Sequence, residues 1–101
     1  MISRVWRGET MSANESAYRT FLTSRIFPTL KKIPGHRGAY LLRREKDRNV
    51  EFLVMTLWDS MQAVRQFAGD NPERAVVEPE ARAILSNFDE FVRHYEIIEQ
   101  P

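Results

Sequence analysis

The residues best suited to act on a small aromatic molecule are two tryptophans, an arginine and a histidine. Trp58 stands in TLWDS, where an apolar strand hands over to a helix, so its indole can stack on a ring while its N–H donates. Arg4 and Trp6 alternate onto one face of an N-terminal strand, ISRVWRG, so that an aromatic wall and a guanidinium can meet one ligand. There Arg4 can pair with an enolate or phenolate oxygen. His94 brings an imidazole of near-neutral pKa, the natural general base for a phenol proton. Tyr40 and Tyr95 can donate to a ligand oxygen. The catalytic candidates are therefore His94 and Arg4, and the ligand-binding candidates Trp58, Trp6 and Tyr40. Each has a plainer alternative. Trp58 can be core, Trp6 can pack under a helix with Arg4 at an edge, and His94 can pair with Glu96 two residues away on its own face. His36, beside Gly35, reads as a surface turn residue.

The elements that must position these side chains follow from periodicity. Ile2 to Thr10 alternates as a strand that weakens at Gly8. Ser12 or Asn14 offers a cap to a helix whose Tyr18, Phe21, Leu22, Ile26 and Leu30 form one stripe. Pro28 should distort or end that helix near Phe27. His36 to Arg44 reads as a second strand and the charged run through Asn49 as a hairpin loop. Phe52 to Trp58 follows as a strand with both faces apolar, which requires cover on two sides. Asp59 or Ser60 caps a helix carrying Met61, Val64, Phe67 and Ala68, which Gly69 ends. Ala75 to Val77 is either a loop on the core or a lid. Pro79 opens a short helix through Ala81, Ile84, Leu85 and Phe88, and Phe88 to Ile98 is the last strand.

Composition bounds the function. A chain of 101 residues fits a single domain, 1–101, and its 43% hydrophobic and 29% charged content is ordinary for a globular protein. The net charge of +1 advertises neither nucleic acid nor an anionic membrane as partner. With no cysteine there is no disulfide, thiolate metal site or cysteine nucleophile. His36 and His94 lie far apart in sequence, so no metal site is expected. No phosphate-binding loop, dinucleotide fingerprint or nucleophile elbow occurs. No apolar run approaches the roughly 20 residues of a membrane span, and the expected location is the cytoplasm.

Strand, helix, strand, strand, helix with a short extra helix, strand is the split β-α-β order of a ferredoxin-like α+β fold. It implies an antiparallel four-stranded sheet with helices on one face, and the other face is economically covered by a second copy, making a homodimer. The strand ending TLWDS, the following VRQFAG, the segment PERAVVEPEA and the final FVRHYEII resemble the antibiotic biosynthesis monooxygenase family of dimeric α+β barrels. The resemblance spans the whole chain. It implies oxygenation of a small aromatic, polyketide-like or quinol compound without a cofactor, a site lined by a tryptophan near this strand end, and haem degradation in other members. Haem-degrading relatives take a histidine from the second-helix region and an asparagine from the first strand. Met61 to Leu85 has no histidine and Ile2 to Thr10 no asparagine, which argues against haem. The alternative is a non-catalytic ligand-binding or structural dimer of the same fold.

Overall fold

A computed structural model describes all 101 residues. Strand β1 (Ile2–Met11) runs antiparallel to β3 (Asn49–Trp58), and β3 pairs on its other edge with β2 (His36–Lys46). The free edge of β1 takes β4 (Leu85–Phe88) along Gly8 to Thr10 and β5 (Arg93–Glu96) along Ile2 to Val5. The fourth place in the sheet is thus shared by two short strands, giving five in all. Helices α1 (Glu15–Phe21), α2 (Phe27–Lys31), α3 (Met61–Ala68) and α4 (Pro79–Ile84) complete the α+β ferredoxin-like fold. No helix is long and apolar enough to cross a membrane.

The last strand differs from the continuous one expected over Phe88 to Ile98, and the backbone explains why. Between β4 and β5 the chain leaves the sheet edge to bond the segment before α4: Ala75 N–H donates to the Glu90 carbonyl at 2.8 Å and Val92 N–H to that of Glu73 at 2.7 Å. Residues 73–75 are therefore held by backbone hydrogen bonds, while Val77 packs against the core and Val76 is exposed. The third helix also stops at Ile84, because Leu85 turns extended and pairs with Thr10.

The first helix continues past Pro28. A π-helical turn at Leu22–Ile26 joins α1 to α2, and its wider spacing spares the proline ring the clash with the carbonyl four residues back. Ser12 does not cap α1; its hydroxyl donates to the Arg48 carbonyl at 2.8 Å, and a 3-10 turn leads into the helix. Ser60 does cap α3, accepting from Ala63 N–H at 3.2 Å.

Gly8 lies within β1 and does not end it. The Trp6 indole covers it, and a Cβ there would stand 2.5 Å from the ring. Gly8→Ala is therefore expected to push the indole off its seat and break the 2.8 Å bond from Trp6 Nε1 to the Asp89 carbonyl. The expected cost is about 1–3 kcal/mol, in the range of overpacked cores, read as a lower denaturant midpoint with an unchanged slope.

Alternation gives the sheet two faces. Val50, Phe52 and Trp58 of β3 are buried against the helices, in two clusters around Tyr18 and around Leu30. Apolar side chains on the opposite face, Val5, Leu53, Met55 and Leu57, occupy only part of it. Toward the hairpin end Glu9 and Glu51 lie directly opposite each other, both buried. Arg7 bridges the two carboxylates; Arg44 donates to Glu51 at 2.6 Å and Asn49 to Glu9 at 2.9 Å. Arg44 and Arg7 together pull the Glu51 carboxyl down to about 2. This network makes the second face polar just beyond the apolar Phe52 to Trp58 stretch: like charges placed side by side are stable because cations and an amide engage every carboxylate oxygen.

Candidate active site

A cavity opens between the helix-facing side of the sheet and the helical layer. Of its 15 lining residues 12 are hydrophobic, and the polar three are Arg4, Thr56 and Glu78. Its closed part has a volume of about 80 Å³, smaller than the roughly 300–1,000 Å³ of most small-molecule pockets, and it opens to solvent at its mouth.

The sheet supplies one wall through Arg4 and Trp6 of β1 and Val54 and Thr56 of β3. Leu22 and Ile26, the two ends of the π turn, face them, and Val76, Val77 and Glu78 close one side. Arg4 and Trp6 thus do meet at one cavity. Tyr18 lines it as well; its hydroxyl makes no hydrogen bond within the protein, and burial pushes its pKa up, so it stays a neutral donor.

Arg4 is the most unusual group in the site. It is 5% exposed, yet no carboxylate lies within ion-pair distance, whereas Arg7, Arg37 and Arg44 each have one. Burial brings its pKa down to about 10, opposed by the more distant Glu73. One Nη donates to the Pro72 carbonyl and to His94 Nε2, and the other to the Arg74 carbonyl at 3.2 Å. The guanidinium also lies over the Phe67 ring, 5.7 Å from its centroid. Of the five N–H donors of an arginine, one on Nε and one on Nη2 remain without a protein acceptor. A desolvated cation with spare donors at an apolar cavity has the chemistry to receive an anionic oxygen.

His94 is the register partner of Arg4 on β5 and lies 3.0 Å from its Nη1. A guanidinium can only donate, so Nε2 must accept and the neutral ring carries its proton on Nδ1. His94 does not line the cavity, and the lone pair that a general base would use is committed to Arg4. It reaches the site through that arginine. Burial first, then the charges of Arg4 and Arg65, lower its pKa against the opposing pull of Glu73. Below the ordinary histidine value of about 6.5 the unfolded chain therefore takes up a proton that the folded chain resists, and stability falls as pH drops. Thermal melts between pH 7 and 5 are expected to fall more steeply for the wild type than for His94→Gln, whose amide oxygen accepts from Arg4 without titrating. Equal slopes would contradict the pairing.

The remaining candidates fall elsewhere. Trp58 is fully buried behind the cavity wall, stacked on Phe67 at 6.0 Å and edge-on to His36 at 5.0 Å, with its N–H given to Thr56 Oγ1 at 2.8 Å. It is not among the residues that line this cavity. Tyr40, 55% exposed, pairs with Met55 on the opposite face of the sheet and is remote from Arg4. His36 is half-buried against Trp58 rather than at a free surface, and its Nδ1 has no partner. Sequence reasoning missed Tyr18, hidden within a helical stripe, and Thr56. The available signal for Thr56 was its place as the one polar residue on the helix-facing side of an apolar strand. No group of three or more ligand side chains is placed to hold a metal ion.

The family model described as antibiotic biosynthesis monooxygenase matches residues 1–79. The chain belongs to the antibiotic biosynthesis monooxygenase family. Matching solved structures agree on the fold. One is SnoaB, a cofactor-independent oxygenase from Streptomyces nogalater, at 16% identity and a TM-score of 0.70, the alignment covering 98% of this chain and 94% of that one. Another is the haem degrader MhuD from Mycobacterium tuberculosis with two haems in its active site, at 17% identity and a TM-score of 0.61, covering 100% and 99%. No curated protein matches. Solved structures of this fold thus include both a cofactor-independent oxygenase and a haem degrader. Among the cavity-lining residues of this member there is no histidine to ligate a haem iron.

Proposed function

We propose that the protein is a cofactor-independent monooxygenase acting on a small aromatic compound in the Arg4 cavity. The observation that carries this is the buried, anion-less Arg4 guanidinium at the wall of an apolar cavity in a chain of this family. Deprotonating a phenol or enol conjugated to a ring methylene makes the substrate electron-rich enough to reduce dioxygen. The methylene becomes a carbonyl with one oxygen atom, and the other leaves as water with two hydrogens, so the substrate supplies all the electrons. Arg4 stabilises the anion by charge and by its two spare donors, in a site where neighbouring apolar side chains strengthen the interaction. Trp6 supplies a flat wall for the ring, and His94 sets the direction of Arg4.

A homodimer completes the proposal. Exposed Tyr40, Leu42 and Tyr95 join Val5, Leu53 and Met55 on the outer face, and a second sheet is the cover of matching shape. Light scattering is expected to give twice the 11.9 kDa chain mass.

Oxygen uptake with dithranol, an anthrone, tests the reaction. Uptake above the uncatalysed rate that is lost in Arg4→Met is expected. Binding without uptake would leave a ligand-binding dimer and end the catalytic reading.

A further inference from the structure

Thr56 carries an unclaimed polar hydrogen at the cavity. It is the cross-strand partner of Arg4 in the β1–β3 register, and both side chains line the same space. Its Oγ1 accepts from Trp58 Nε1 at 2.8 Å, while its own hydrogen has no acceptor in the protein. An indole N–H can only donate, so it takes a hydroxyl lone pair and excludes the rotamer that would aim the O–H at the ring. Trp58 is held firmly enough to enforce this, since it has no exposed surface and is fixed between Phe67 and His36.

We infer that the Thr56 hydroxyl is a second donor to the ligand oxygen held by Arg4, and that Trp58 is the positioning residue that turns it there. The inference rests on the proposal that an anionic oxygen binds at Arg4. Two N–H groups and one O–H would then converge from neighbouring strands on one oxygen, the arrangement that favours an oxyanion over its neutral acid. Trp58, buried away from the ligand, would influence it through one intervening hydroxyl.

The test uses 2-naphthol, whose absorbance reports its ionisation, with naphthalene as the neutral control. In the wild type the bound naphthol is expected to ionise at a lower pH than free naphthol. Thr56→Val is expected to weaken the preference for naphtholate over naphthalene about tenfold, and Thr56→Ser to restore it. Trp58→Phe, which keeps the ring and drops the N–H, is expected to give a loss of about threefold, and it stands in should the valine variant not fold. Undiminished naphtholate preference in both Thr56→Val and Trp58→Phe, with that preference lost in Arg4→Met, overturns the inference and spares the Arg4 site. No preference for naphtholate in the wild type overturns both.

Discussion

Trp58→Ala is expected to destabilise the protein by about 3–5 kcal/mol, the cost of emptying a tryptophan-sized space in a packed core. Trp58 has no exposed surface, and its ring ties α3 to the end of β3 through Phe67 and to the start of β2 through His36. The truncation leaves a cavity there and takes from Thr56 the donor that orients it. Against a typical total stability of 5–15 kcal/mol this is enough to leave a substantial unfolded fraction at physiological temperature, so the midpoint is read by chemical denaturation at low temperature. Trp58→Phe keeps most of the buried area and is expected to cost less than half as much. Equal losses in the two variants would mean that the indole N–H, rather than ring volume, carries the effect.

Arg4→Met is expected to separate binding from folding. Methionine fills similar volume, removes a desolvated charge that has no anion, and leaves the Pro72 and Arg74 carbonyls without their donor. The first change is stabilising and the second destabilising, so folding stability is expected to move by only about 1–2 kcal/mol. Affinity for an anionic aromatic falls about a hundredfold, as expected from two charge-assisted hydrogen bonds, while affinity for naphthalene is kept within about threefold. Arg4→Lys is not a conservative replacement here. A single ammonium cannot reach both carbonyls, His94 and a ligand at once, because its donors radiate from one atom.

The element order and the junction at Trp58 were legible because they rest on strong local signals: uninterrupted β-branched and aromatic alternation in β3, and Ser60 and Gly69 bounding α3. Gly8 misled because a strand glycine usually weakens pairing, whereas here it makes room for an indole two residues away on the same face. The buried pair Glu9 and Glu51 was not legible, because it depends on Arg7, Arg44 and Asn49 from three different stretches of chain. The division of the last strand arises from hydrogen bonds to residues 73–75, a partner that no periodicity within Phe88 to Ile98 could reveal. In the site, the pairing of Arg4 with Trp6 was readable from alternation along one strand. The contact of His94 with Arg4 and the burial of Trp58 depend on register between strands and on α3, which one-dimensional spacing does not contain.

The claim that the ligand occupies the Arg4 cavity, rather than the exposed apolar sheet face, is tested most directly by the methyl NMR spectrum titrated with 2-naphthol near its ionisation. Methyl groups of Leu22, Ile26, Val54 and Val77, which line the cavity, are expected to shift with a common affinity that is lost in Arg4→Met. Those of Leu42 and Leu53, on the opposite face, are expected to stay in place. Shifts confined to Leu42 and Leu53, or cavity shifts that persist unchanged in Arg4→Met, would contradict the Arg4 site.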